Sequence, residues 1–236
     1  MNVLKTLLTP KNVGYEKKRL GPQRDGGYVT PIYLLEKCSE LYTYGVGHDV
    51  RYENEFTSEY NKKSWLYDHT SRASVNNKLS TKFHEGIGWG DKLEDFNNHY
   101  EQNNSEGEIY FKIDTEGAEY DYFLDDRFDY SKFKDRVMGI AIEVHWLKQP
   151  EFRQKFIKLA ELLQQDYILC HVHGNNWCDE FDFEGHTFID VMELTYLRKD
   201  HCKYVAEDTT EYPIKGLDYP NRPNSIDFDF KYLKNE

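Results

Sequence analysis

The chain has 236 residues, of which 39% are hydrophobic and 16% aromatic, and a formal net charge of −12. That length suits one domain, residues 1–236, with a full core at about 20–200 and at most a small extension. The charge, with no Lys/Arg cluster against it, excludes nucleic acid and anionic membrane surfaces as natural partners.

No run approaches a membrane span, so no membrane insertion is expected. Cys38, Cys170, Cys178 and Cys202 show neither Cys-x-x-Cys spacing nor a disulfide framework, which fits a reducing compartment. Met1 to Gly14 lacks a signal-peptide core, and the expected location is cytoplasmic.

Met1 to Leu20 reads as a short helix and an irregular segment. Asp25-Gly26-Gly27 is hairpin-turn chemistry, because paired glycines permit positive φ. The same loop could bring Asp25, Gly26, Gly27 and Tyr28 close to a ligand. Leu41 to Tyr44 is an aromatic and β-branched strand that runs into Gly45-x-Gly47, with a helix expected from Tyr52 to Tyr60. A strand, a glycine turn and a helix make a nucleotide-binding start, since missing side chains let the backbone approach a ligand. The third glycine of the dinucleotide fingerprint is absent. Asp49, Glu53 and Glu55 also make this helix start a poor place for pyrophosphate, whereas a sulfonium and an amino group suit it. Ser64 to Asp68 is the next strand. Asp68 stands about 20 positions after the glycine turn, where an acid binds ribose hydroxyls; the alternative is an N-cap for a helix near Ser71.

Thr81 to Gly88 is a third strand ending in a glycine-rich loop, and Asp91 to Gly107 a polar surface helix or loop. Ile109 to Ile113 alternates apolar and polar side chains, then gives way to Asp114, Glu116 and a glycine turn before a helix. Asp114 or Thr115 could also be that helix's N-cap. Val137 to Trp146 is a near-continuous apolar run, as in a strand buried on both faces, and ends with Glu143 and His145 on one side. Pro150 opens a helix whose stripe is Phe152, Phe156, Leu159, Ala160 and Leu163. Tyr167 to Trp177 is a strand with His171 and His173 on one face. Val191 to Leu197 closes the sheet, and Tyr212 to Glu236 is an irregular tail on the surface. Alternating strands and helices predict a doubly wound α/β fold.

In such folds ligands bind beyond the carboxyl ends of the strands. Asp114, Glu116, Glu143, His145, His171 and His173 are therefore expected to converge on one rim. There they could orient a substrate, move a proton or hold a metal. His145 is the first candidate base, with Glu143 or Asp114 orienting it, and His173 the second. A divalent metal is possible on Asp114, Glu143, His145 and His173; zinc-finger spacing is absent.

Asp25-Gly-Gly-Tyr-Val29, Tyr44-Gly-Val-Gly47, Asp68, Lys112-Ile-Asp-Thr-Glu-Gly-Ala-Glu119, Ile142-Glu-Val-His-Trp146, His171-Val-His-Gly-Asn-Asn176 and Glu193-Leu-Thr-Tyr-Leu-Arg198 follow one another in an order that resembles the FkbM-like branch of class I S-adenosylmethionine-dependent methyltransferases. The resemblance implies a Rossmann-like seven-stranded sheet whose last strand is antiparallel. It also implies S-adenosylmethionine as cofactor and O-methylation of a sugar or glycan acceptor. Carried over, Gly45 and Gly47 line the methionine part of the cofactor, Asp68 the ribose, and Gly86 and Ile87 the adenine, while Asp114 lies near the methyl donor. Acceptor pockets are expected from the loops 89–107 and 177–185 and from the tail. Two other readings are a nicotinamide-dependent oxidoreductase using Gly45, Gly47 and Asp68, and a non-catalytic carbohydrate-binding module using the many Tyr and Trp side chains.

Overall fold

The computed structural model describes residues 2–234. Seven strands form the central sheet: β1 (Leu41–Tyr44), β2 (Ser64–Tyr67), β3 (Ser80–Phe83), β4 (Ile109–Ile113), β5 (Val137–Val144), β6 (Tyr167–Gly174) and β7 (Met192–Arg198). Their spatial order is β6-β7-β5-β4-β1-β2-β3. The pairs among β5, β4, β1, β2 and β3 are parallel. β7 enters between β5 and β6 antiparallel to both. This is the doubly wound, Rossmann-like sheet with an antiparallel last strand that the sequence predicts. The strand order reverses between β1 and β4, and that switch point opens a crevice at their carboxyl ends.

Period-two side chains divide the interior in two. On one face α1 (Arg51–Tyr60) and the short helix Ile32–Lys37 cover Leu41, Tyr110, Met138 and Ala141. On the other, α2 (Phe96–Gln102), α3 (Ala118–Phe123), α4 (Tyr130–Arg136) and α5 (Pro150–Leu163) cover Tyr42, Tyr44, Phe111, Ile140 and Ile142. Every residue of β4 and β5 is buried, as parallel strands covered on both faces require. Pro150 sits in the first turn of α5, and Phe156, Leu159, Ala160 and Leu163 are its buried stripe.

Three segments depart from expectation. The polar stretch 91–107 contains a helix, as one of its two expected forms, but α2 is not confined to the surface: it buries Phe96 and His99, and the His99 ring stacks on Tyr67 with centroids 3.9 Å apart. Residues 180–189 form a hairpin, Glu180–Phe183 against His186–Ile189. The tail is not a surface strap, because Tyr212, Phe228, Phe230 and Tyr232 lie inside the main core. Near the N-terminus, Lys17–Leu20 and Tyr28–Pro31 pair as a hairpin, with Gly26 at φ 84° in the loop that joins them. No helix of the described residues is long and apolar enough to cross a membrane.

Candidate active site

The crevice holds a cavity of about 880 Å³, and Gly45, Gly47, Asp68, Gly86, Ile87 and Asp114 all line it. Its floor depends on Gly45. That residue follows β1 at φ +76°, and a Cβ there would fall 1.5 Å from the Asp114 carbonyl oxygen. The backbone after β1 therefore lies directly on the backbone after β4, tied by the Asp114 amide donating to the Tyr44 carbonyl at 2.8 Å. Gly47, at φ +59°, faces open space. Asp25 and Gly26 reach the cavity wall from the N-terminal hairpin, while Gly27 and Tyr28 do not line it. Tyr28 is instead buried beneath, against the acidic cluster described below.

Asp68 brackets the loops. Its Oδ2 accepts the amides of Val46 and Gly47 at 2.9 and 3.1 Å, and its Oδ1 accepts the amides of Thr70 and Ser71 and the Thr70 hydroxyl. No helix starts near Ser71, so the capping alternative is replaced by this loop staple. Burial raises the carboxyl's pKa, but the donors outweigh it and hold the pKa at about 2. Asp68→Ala orphans four backbone donors, so it is expected to cost about 2–4 kcal/mol of stability as well as cofactor affinity. Urea unfolding beside a cofactor titration checks this; unchanged stability would leave Asp68 a ligand contact only.

The second feature is a cluster at the ends of β4 and β5. The His145 side chain is 5% exposed. Its Nδ1 is 3.2 Å from Oε1 of Glu119, and its Nε2 faces Glu116 at 3.6 Å, Asp114 at 3.7 Å and Glu143 at 4.0 Å. Glu119 is wholly buried, and its other oxygen accepts the Thr115 hydroxyl and the Gly117 amide. It, rather than Glu143 or Asp114, fixes the imidazole. The N-cap of α3 is Gly117, with no side-chain cap, so Asp114 and Thr115 do not cap it. The Tyr28 hydroxyl is shared between Asp114 Oδ2 at 3.3 Å and Glu143 Oε2 at 3.0 Å, and Asn175 Nδ2 donates to Glu143 Oε1 at 2.8 Å. Burial, with Asp114 and Glu193 close by, holds the Glu143 carboxyl well above the usual range. Burial lowers the His145 pKa, but the bond and charge of Glu119, with Asp114 and Glu116, raise it on balance.

His171 and His173 do not join this rim. β6 is an edge strand with β7 between it and β5, and carboxylates from the tail claim both rings. His171 Nε2 meets Asp218 at 2.9 Å. His173 is bonded at both nitrogens, to Glu193 at 3.0 Å and to Asp227 at 3.1 Å. With no free lone pair, His173 is neither a base nor a metal ligand here. Burial lowers its pKa, yet Glu193 and Asp227 raise it to about 10. A raised folded-state pKa stabilises fully below the ordinary value of about 6.5, and the contribution fades as pH climbs toward 10. His173→Gln is thus expected to cost on the order of 3–5 kcal/mol at pH 7 and to flatten the decline in stability between pH 7 and 10. Denaturant curves at three pH values check it; a parent protein as flat as the variant would show a neutral histidine.

Lys112 is a cavity residue that sequence reading does not place there, whereas Trp177, Asn221, Pro223 and Leu93 come from the segments expected to supply the acceptor pocket. Lys112 Nζ lies 4.7 Å over the Tyr28 ring and 4.0 Å from buried Glu53. Trp177, 57% exposed, stands at the mouth with the Arg222 guanidinium 5.4 Å from its ring centroid. Asn221 and Pro223 reach the wall from the tail, and Leu93 from the 89–107 segment.

No family model and no curated protein matches the chain. Among solved structures, it is similar over 80% of its length to 85% of a Methanococcus jannaschii fibrillarin pre-rRNA processing protein, at 12% identity and a TM-score of 0.42. It is also similar over 69% of its length to 61% of a METTL16 MTase domain, at 11% identity and a TM-score of 0.39. A human methyltransferase 10 domain containing protein matches over 68% of this chain and 72% of its own, at 10% identity and a TM-score of 0.39. Likenesses this distant carry no weight for substrate or chemistry.

Proposed function

We propose that the protein is an S-adenosylmethionine-dependent O-methyltransferase acting on a sugar hydroxyl. The observation that carries this reading is the Gly45-x-Gly47 floor joined to an imidazole–carboxylate cluster at one switch-point cavity. The residues fit the cofactor. Gly45 and Gly47 leave bare backbone beside the methionine part, and Asp68, which lines the cavity, shapes the loops on its ribose side through the amides it accepts. Five carboxylates, Asp25, Asp49, Asp68, Asp114 and Glu116, line the cavity against Arg24 and Lys112. That field favours a sulfonium and an ammonium and disfavours a pyrophosphate, which weighs against a nicotinamide cofactor.

When bound, the cofactor supplies an electrophilic methyl group. The remaining work is positional: the acceptor oxygen must be held in line behind that methyl. A sugar hydroxyl also has to lose its proton; Asp114 and Glu116 line the cavity, with His145 Nε2 behind them at 3.7 and 3.6 Å. Trp177 offers an exposed ring on which a sugar face can stack. Glu119 keeps the imidazole from turning away.

The test is incubation with methyl-labelled S-adenosylmethionine and a panel of oligosaccharides, amines and RNA, followed by mass spectrometry. Label in base-stable methyl ethers of a sugar is the expected product. Transfer only to nitrogen or to RNA would replace the acceptor half of the proposal, and absence of transfer to every class with no cofactor binding would overturn it.

A further inference from the structure

His145 presents an unusual edge. Glu119 takes Nδ1, so in the neutral imidazole the Nδ1–H donates and Nε2 carries the lone pair. Yet among the described residues no hydrogen-bond donor reaches Nε2. Its neighbours are three carboxylates, at 3.6, 3.7 and 4.0 Å. In the charged imidazolium, an Nε2–H would likewise find no acceptor at normal hydrogen-bond distance, which is roughly 2.7–3.2 Å. A side chain 5% exposed thus turns a nitrogen with no hydrogen-bond partner among the described residues toward three carboxylates. The separations instead suit something between them: two metal–ligand bonds of about 2.1 Å meeting at ordinary coordination angles set their donors roughly 3–4 Å apart.

We infer that Asp114, Glu143 and His145 form a binding site for one divalent cation. One ligand atom from each lies within 4.8 Å of the other two. The outer groups are already in place. Glu119 holds Nδ1 in the carboxylate–histidine arrangement that orients metal-binding imidazoles. Tyr28 holds the outer oxygens Asp114 Oδ2 and Glu143 Oε2, which leaves Asp114 Oδ1 and Glu143 Oε1 turned toward Nε2. Asn175, directly after β6, donates to Glu143 Oε1 at 2.8 Å, so that oxygen would meet a cation through its second lone pair. One imidazole and two carboxylates on one side of a cation leave the other positions open toward the cavity, which Asp114 itself lines. That donor set suits a Mn²⁺-like ion better than a closed zinc site. His173, bonded at both nitrogens, stands outside it.

The site rests on the methyltransferase reading for its role, not for its existence. An acceptor hydroxyl reaching the cation would be polarised by it. Its O–H bond breaks toward the Glu116 carboxylate, whose side chain is 81% exposed, while the new O–C bond forms. The electron pair of the broken S–C bond stays on sulfur.

The experiment uses the full chain dialysed against EDTA and titrated with Mn²⁺, followed by electron paramagnetic resonance and calorimetry. One site per chain is expected. Pulsed spectra should show coupling to an imidazole nitrogen, and Glu143→Gln and Asp114→Asn should weaken binding at least tenfold, while His173→Gln leaves it within about threefold. The nitrogen coupling is read on the parent protein, so poorly folded variants do not decide the matter. Absent saturation, absent nitrogen coupling, or equal binding by Glu143→Gln overturns the site. S-adenosylhomocysteine is titrated into the same samples. Nucleoside binding without metal binding sinks only the metal site; metal binding without nucleoside binding sinks only the methyltransferase reading.

Discussion

Gly45→Ala is expected to lose both fold stability and cofactor binding. The added methyl group would sit 1.5 Å from the Asp114 carbonyl oxygen and 2.6 Å from its carbon. Neither atom belongs to a side chain that can swing aside; both are backbone at the end of β4, held by the hydrogen bond to Tyr44. Relief requires pulling the ends of β1 and β4 apart, which breaks that bond and tilts Asp114 away from the cluster. Alanine at φ +76° adds its own strain of about 1–2 kcal/mol. Together the loss should reach about 3–5 kcal/mol, the range of severe overpacking joined to backbone strain. Gly47→Ala is the control. Its φ of +59° carries the same kind of strain, but nothing lies within 4 Å of the added carbon, so only about 1 kcal/mol is expected. Thermal and urea unfolding of the pair, with a cofactor titration of each, separates them. Equal losses in the two variants would mean that the contact between the β1 and β4 ends is not what shapes the floor.

His145→Ala should leave cofactor affinity within about threefold and reduce turnover by roughly 10²–10⁴, the usual contribution of a positioned proton-transfer group or ligand. The reason is placement. Asp68 and the glycine turn, proposed to hold the cofactor, follow β2 and β1, whereas His145 follows β5 on the far side of β4. Glu119→Gln should reproduce part of this, about 10–100-fold, because a glutamine retains the shape but not the charge that fixes Nδ1. Glu119 touches Thr115 and Gly117 as well as His145, so melting curves accompany the kinetics. Turnover unchanged in both variants would remove the imidazole from the chemistry. A fall in cofactor affinity matching the fall in rate would instead make it a binding residue.

What could be read from the chain was local. A strand that ends in Gly-x-Gly, a second that ends in Asp68, a third that ends in Asp114 and a buried run that ends in Glu143 and His145 each carry their signal within ten residues. Strand alternation then places the ends on one edge: the glycine turn, Asp68 and Asp114 line the cavity there, while Glu143 and His145 lie buried behind Asp114. Glu119 was in view in the same stretch but reads as an ordinary first-turn acid of α3; only the turn at Gly117, with φ +99°, swings it back under His145. His171 and His173 were misplaced for a different reason. Their strand pattern is that of catalytic histidines, and what disarms them is, beside Glu193, Asp218 and Asp227, 47 and 54 residues downstream in a tail whose regular structure, among the described residues, is one short 3-10 turn at Lys231–Leu233. The tail's depth in the core has the same origin. Phe228, Phe230 and Tyr232 alternate, but three prolines and many acids nearby hide the pattern. Polar composition likewise concealed the single phenylalanine that anchors α2.

The cavity's claim to be a nucleoside site can be put to one direct measurement: calorimetric titration of the purified chain with S-adenosylhomocysteine, beside Gly45→Ala and His145→Ala. The expected result is one-to-one binding by the parent chain and by His145→Ala, and none by Gly45→Ala. No saturable heat with the parent at roughly millimolar ligand, or binding that survives intact in Gly45→Ala, would contradict it.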